Sequence, residues 1–490
     1  MSPNFYRKLI YGLIIVGLFG AMYPYGNWLN DEKKRKDLGE AAIGQIDTGS
    51  FMLKLALLGG ARGIAANVLW TRAEELKREQ DWDRLATTVD LITKLQPHFL
   101  SVWTFQGWNL SYNVSVEWDA PEDKYEWIKK GIKFLQEGVR KNRKSPDLIW
   151  DTAWTYYHKL GFSDESIILR RLFRDDDDED FKSYNDPDSG VRVVGNDNFM
   201  LGYAWFSRAV SLVDEGQARL ATGAEANLDY VDPTPQRKGR PGDLAFRSMP
   251  GHAMTRYASG LEKMSMVGVS ATFGEVASNA WRRALNEWTK FGEYEFPAYN
   301  NPSEMVRIDD ITNPPRYERL SENQKYWTNR WADQMNYRYW KDRSAAEMSP
   351  EGVQARQSFY EGTVAYKSSD FDTAVKKFRD GLNVWNDLLK KHVDYRNDDF
   401  NKKDTGLVVK RYMRALRQLG EPDPKDMPFR DLLAAAELDN TVDPFDAQEM
   451  LGPTRPGSGT RPSPAPTPPA GPKPTLTPEA GPSVPKVNPR

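Results

Sequence analysis

The stretch "DWDRLATTVDLITKLQPHFLSVWTFQGWNL", residues 81–110, decides the fold. Leu85, Val89 and Ile92 recur at steps of four and three, which sets them on one stripe of an α-helix. Pro97 cannot continue that helix and turns the chain. Trp103 and Gly107 then stand one turn apart on a second helix. Glycine leaves room there for a neighbouring helix to come close, and tryptophan fills the space beside it. A helix of this kind cannot bury its apolar face alone, so further helices must stack on it.

The spacing resembles the junction between two tetratricopeptide units, which are antiparallel helix pairs of 34 residues. With Trp103 at repeat position 4, Gly107 falls at 8; one unit earlier, Trp82 falls at 17, Leu85 at 20, Val89 at 24, Ile92 at 27 and Pro97 at 32. A second, degenerate match is "ARQSFYEGTVAYKSSDFDTAVKKFRDGLNVW" (355–385). There Gly362 takes position 8, Phe371 position 17, Ala374 position 20, Phe378 position 24 and Gly381 position 27. Ser358 and Asn386 replace the expected Trp and Pro.

Helical texture continues between these matches without a clean period. Residues 123–141 form an amphipathic run carrying Trp127, Gly131, Phe134, Leu135 and Gly138. Residues 147–161 set Trp150 and Trp154 one turn apart, with Gly161 expected as a C-cap. Residues 196–216 and 278–292 read alike, and Trp281, Ala284, Leu285 and Trp288 share one face. "KYWTNRWADQMNYRYWKDR" (325–343) mixes aromatics with Arg and Lys, as nucleic-acid grooves do. Its steps Trp327, Trp331, Tyr337 and Trp340 favour instead a packed helix with Arg stems lying over the rings. The expected fold is all-α, a helical-repeat, tetratricopeptide-like solenoid with insertions, of roughly ten to fourteen helices and no strand alternation.

Composition narrows the chemistry. The 490 residues carry a net charge of −2, so no global field points to nucleic acid. The absence of Cys excludes a disulfide framework, thiolate metal sites and Cys nucleophiles. His occurs at 98, 158, 252 and 392 alone, with no pair at metal-ligand spacing. No P-loop, G-x-S-x-G, GxGxxG or HExxH pattern is present. The expectation is therefore no enzyme, no cofactor, no metal and no catalytic residue. Aromatics make up 12% of the chain, with 16 Trp, most of which are expected to pack in helical-repeat cores, as large aromatics do there or at interfaces.

The ends differ from the body. Residues 1–30 read as a single uncleaved membrane anchor: Arg7 and Lys8, an apolar run from Leu9 to Met22, then Tyr23, Tyr25 and Trp28 as an interfacial belt. Residues 31–50 are a charged linker with Lys33, Lys34, Arg35 and Lys36. The apolar stretch 51–70 holds Lys54, Arg62 and the Gly59-Gly60 pair, and is expected as a buried helix pair opening the soluble body. That body runs from 51 to 345, with loop insertions at about 174–195 and 231–245, followed by a tetratricopeptide-like unit and helices over 346–440. The acidic loop 174–190 reads as solvated; Asp186, Asp188 and Gly190 imitate part of a calcium loop without its Glu. The loop 231–243 is basic at Arg237, Lys238 and Arg240. Residues 451–490 are a Pro-rich disordered tail.

Taken together, "LQPHFLSVWTFQGWNLSYNVSVEW", "DLIWDTAWTYYHKLGF", "FRSMPGHAMTRYASGLE" and "NYRYWKDRSAAE" resemble an uncharacterised family of bacterial membrane-anchored proteins with tetratricopeptide-like bodies. The resemblance covers roughly 50–440. Some relatives carry the label "iron-responsive element", the term for an RNA stem-loop, and no residue cluster here supports iron or RNA chemistry. The resemblance implies no catalytic residue. The repeat frame, the anchor and the flexible tail point to a membrane-tethered scaffold or adaptor that receives a protein or peptide partner in a helical-repeat groove, and Arg7 and Lys8, set against Lys33, Lys34, Arg35 and Lys36, place its body in the periplasm. The partner-binding residues are unassigned at this stage, and no nucleic acid is expected. The alternatives are a self-assembling envelope component and a carboxylate-dependent hydrolase, since two carboxylates suffice for glycoside hydrolysis.

Overall fold

The computed structural model describes residues 62–185, 192–216, 243–262 and 270–438. The anchor, the linker, the calcium-like residues 186–190, the basic loop and the Pro-rich tail lie outside the described residues, as do residues 51–61 of the apolar stretch. The chain is mostly helical. Fourteen helices of nine residues or more lie among the described residues. They are α1 (Arg62–Glu79), α2 (Trp82–Leu95), α3 (Leu100–Trp108), α4 (Pro121–Lys141), α5 (Pro146–Trp154), α6 (Ser166–Asp175) and α7 (Asn198–Asp214). After these come α8 (Asp243–Leu261), α9 (Glu275–Gly292), α10 (Glu322–Gln334), α11 (Tyr337–Met348), α12 (Pro350–Lys367), α13 (Phe371–Leu389) and α14 (Asp399–Leu419). Among the described residues no helix is long and apolar enough to cross a membrane.

Capping explains where the helices start. Asp81, Ser145, Asp197, Ser349, Asp370 and Asp398 each accept a backbone N–H of the first turn that follows them. Pro121, Pro146 and Pro350 open α4, α5 and α12, where the missing N–H has no intrahelical partner to lose. Ser321 and Gln324 close a reciprocal capping box on α10. Gly420, at φ 71°, ends α14 in the left-handed region.

Helices pack largely on their chain neighbours: α1 on α2, α3 on α4, α7 on both α5 and α8, α8 on α9, α9 on α11, and α13 on both α12 and α14. One apolar core runs from α4 to α11 and holds Trp288; a second, around α12 to α14, holds Trp385. Residues 81–110 pack as their spacing implies. Leu85, Val89 and Ile92 are fully buried in the α1–α2 pair together with Ala73. The Trp103 indole donates to the Pro97 carbonyl at 2.8 Å, and the Asn142 amide donates to the same oxygen at 2.8 Å. Gly107 lies under Leu135, and Gly138 lies under the Trp103 ring. The α12–α13 pair repeats this arrangement: Gly362 lies under Phe378, and Gly381 under Phe359. The stripe Gly131, Leu135 and Gly138 thus carries the four-and-three spacing of Leu85, Val89 and Ile92, moved along the chain by the longer α3–α4 connection.

Four expectations are corrected. Gly161 is not a C-cap. α5 passes into a π-helical turn over Thr155–Lys159 and a last turn over Leu160–Phe162. Gly161 is small because the Phe199 ring sits where its Cβ would be. The run 325–343 is two helices, broken at Asn336, which adopts φ 49°; Asn tolerates that region better than other non-glycine residues. Two antiparallel hairpins are present, Ser183–Asn185 with Arg192–Val194 and Glu295–Ala298 with Asn301–Arg307. Three of the strands hold only three or four residues, too few for a period of two to stand out, and Asn301–Arg307 buries Val306 alone, so its residues do not alternate. Part of the acidic loop is not solvated. Asp176 accepts from Tyr125 at 2.7 Å and from Lys129 at 2.7 and 2.8 Å, and Asp178 accepts from Lys133 at 2.7 Å.

Candidate functional site

Trp150, Trp154, His158 and Phe162 follow one another at steps of four on α5 and its π turn. Steps of four drift around a regular α-helix, which turns every 3.6 residues. The π turn takes up more residues and keeps the rings in line. Trp150 and Trp154 stack at 5.2 Å and 8°, Trp154 and His158 at 4.8 Å and 9°, and His158 and Phe162 at 6.1 Å and 23°. A second π turn, Asn109–Val114 at the end of α3, supplies Tyr112. Its ring stacks on His158 at 5.9 Å, its hydroxyl lies 3.2 Å from His158 Nδ1, and Trp108 stacks on it at 5.9 Å.

Cations extend the row. Lys159 lies 5.2 Å from the Tyr112 ring centroid. The Arg256 guanidinium of α8 lies 5.0 Å from Phe162 and 6.0 Å from Trp340 of α11, and Trp340 stacks on Trp288 at 5.8 Å and 4°. The result is an aromatic seam that crosses α3, α5, α8 and α11. One end reaches the core at Trp288. At the other, Trp108 remains 48% exposed; Phe162, midway beside Arg256, is 41% exposed, while Tyr112, Trp150, Trp154 and His158 are half-buried. Wide apolar faces left partly in water mark surfaces that something else covers.

The electrostatics suit an apolar occupant. Burial, reinforced by Lys159, holds the His158 imidazole below its usual range, so the ring is neutral at pH 7. Burial likewise lowers Lys159, with Lys124 adding to it. Asp151, one turn from Trp154 and Thr155, makes no side-chain hydrogen bond or ion pair among the described residues. Burial, then the Asp147 charge, pushes its carboxyl up to about 7. A carboxyl that binds its proton more tightly folded than unfolded costs nothing below its ordinary range near 4 and weakens the fold as pH rises towards and past 7. Asp151→Asn is therefore expected to raise the melting temperature, with a gain that grows from pH 5 to pH 8.5. A flat gain across that span would show that Asp151 is an ordinary exposed carboxylate.

The sequence singled out Trp150 and Trp154, and both lie in the seam. It did not single out Tyr112, Phe162 or Arg256, which come from three elements. The aromatic-basic run does not form a site of its own: the Trp327 indole donates to Asn300, Trp331 is buried and Arg338 pairs with Asp333. His98 lies against Asn142, His252 between Trp288 and Trp340, and His392 against Asp342. Among the described residues no group of three or more Asp, Glu or His is placed to hold a metal ion. No family model matches the chain, and no curated protein is similar to it at a significant level.

Proposed function

We propose that the chain is a membrane-tethered scaffold whose helix pairs, stacked in a tetratricopeptide-like solenoid, receive a protein or peptide segment along the aromatic seam. The observation that carries this reading is the stacked, half-exposed row of Trp108, Tyr112, His158, Trp154, Trp150 and Phe162. Large rigid rings contribute contact area at low entropic cost and dominate the energetics of protein interfaces. The seam draws on α3, α5, α8 and α11, so an extended or helical segment laid along it meets several helices at once. The anchor expected over residues 1–30 holds this surface near a bilayer, and the body lies on the periplasmic side. The seam needs no cofactor for this role.

A photoreactive amino acid placed at Trp108 or Phe162 in living cells tests the reading against one at Phe400, an exposed ring on α14. The expected result is a discrete heterologous adduct from the seam positions, none from Phe400, and loss of the adduct when Trp154 is replaced by Ala. Adducts of twice the chain mass would favour the self-assembling alternative. Equal labelling at all three positions would remove the seam as a binding surface.

A further inference from the structure

A second feature lies apart from the seam. A cleft of about 620 Å³ opens between α4, the α4–α5 turn, the first strand (Ser183–Asn185) and α7. That volume falls within the range of small-molecule sites. Its rim is cationic, with Lys133 and Arg140 from α4, Arg143 from the turn and Arg208 from α7, against one carboxylate, Asp180. The carboxylates that pair with Lys133 and Arg140, Asp178 and Glu137, are not part of the lining. Arg143 is exposed and makes no ion pair among the described residues. Arg208 lies 3.9 Å from Glu215, and its side chain is only 11% exposed.

The wall beneath this rim is apolar and rigid. Tyr184 and Trp205 meet edge to face at 4.9 Å, and they are 6% and 4% exposed. Among the described residues the Trp205 indole N–H has no acceptor, an exception to the rule that buried donors are paired. A basic rim over an aromatic wall matches a ligand with an anionic head and a flat or aliphatic body.

We infer that this cleft binds a small amphipathic organic anion, its carboxylate or phosphate head at the Arg140–Arg143–Arg208 rim and its apolar body against Tyr184 and Trp205. Neither the seam nor its occupant enters this inference. Calorimetric titration of the full, detergent-solubilised chain at low salt tests it with phenyl phosphate, inorganic phosphate and benzyl alcohol. Phenyl phosphate is expected to saturate one site, with inorganic phosphate and benzyl alcohol each at least about tenfold weaker because each lacks one half of the ligand. Arg143→Glu and Arg140→Glu alter exposed side chains, so folding survives, and each is expected to weaken phenyl phosphate by about tenfold or more. No saturable heat, or unchanged affinity in both variants, would overturn the site. Inorganic phosphate as tight as phenyl phosphate would remove the apolar wall from the inference, and benzyl alcohol as tight would remove the cations.

Discussion

Glu347→Gln is expected to destabilise the protein by about 3–5 kcal/mol, the cost of leaving a buried charge without its partner. Glu347 is 2% exposed on α11. Its carboxylate accepts from Arg356 Nη2 at 2.5 Å, from the single Arg356 Nε–H shared between both oxygens at 3.0 and 3.1 Å, and from the Tyr395 hydroxyl at 2.6 Å. Arg343 Nε lies 4.0 Å away and Glu262 stands 3.8 Å from Arg356. The two guanidiniums are wedged against aromatic rings, Arg343 over Trp281 and Arg356 over Trp385. Neither can swing into water to replace the lost anion. The cluster also ties α11 and α12 to the short helix Val393–Asn397, so its loss loosens the junction of the two cores. Burial alone would raise the Glu347 pKa, but Arg356, then Arg343 and the Tyr395 hydroxyl, hold it below the usual carboxylate range. Its contribution is thus complete above a pH of about 4.5 and fades as pH falls through the depressed value. Urea unfolding at pH 7 measures the loss. The double variant Glu347→Leu/Arg356→Leu should recover part of it, because apolar replacement of a whole pair costs less than breaking it. A wild-type midpoint in Glu347→Gln would show that the carboxylate is dispensable.

Gly131→Ala should cost about 1–3 kcal/mol or more, the range for overpacking a closed interface. A Cβ on Gly131 would lie 2.1 Å from Ser111 Oγ, 2.8 Å from the Gly107 carbonyl oxygen and 3.0 Å from the Ser111 backbone N. Side chains yield to a new methyl; backbone does not, so α3 and α4 would have to part. Parting them lifts Leu135 from Gly107 and Trp103 from Gly138, since all three contacts belong to one interface. Gly195 serves as the control, because a Cβ there meets nothing within 4 Å. Thermal unfolding of Gly131→Ala and Gly195→Ala side by side decides the matter. Equal melting temperatures would mean that the two helices are not this close.

What the sequence revealed and what it hid follow from the range of the forces involved. Leu85, Val89 and Ile92 were legible because three large apolar side chains mark a stripe directly. Gly131, Leu135 and Gly138 form a stripe of the same spacing, but two of its members have no side chain to register as hydrophobic. The break at Asn336 carries no Gly or Pro, only an Asn that accepts a left-handed backbone. Asp176 and Asp178 read as a charge run because nothing local shows Lys129 and Lys133, one turn apart on a helix more than forty residues earlier. The seam was half visible: Trp150 and Trp154 stand at a helical step, whereas Tyr112, Phe162 and Arg256 meet only through tertiary packing. The cleft was not visible at all, since its cations come from a helix, a turn and a second helix.

The two π turns also govern how the chain can tolerate changes in length. Each holds a residue in excess of regular winding. Deleting one residue from 155–159 lets α5 relax into continuous α-helix, a locally favourable change. Five residues at π winding turn through nearly the same angle as four at α winding, so the side chains beyond that deletion keep their direction and Phe162 stays against Arg256. A deletion within the regular stretch Pro146–Trp154 instead turns everything beyond it by about 100° around the axis. The seam thus absorbs the loss of Thr155 inside the π turn and is dismantled by the same loss one turn earlier.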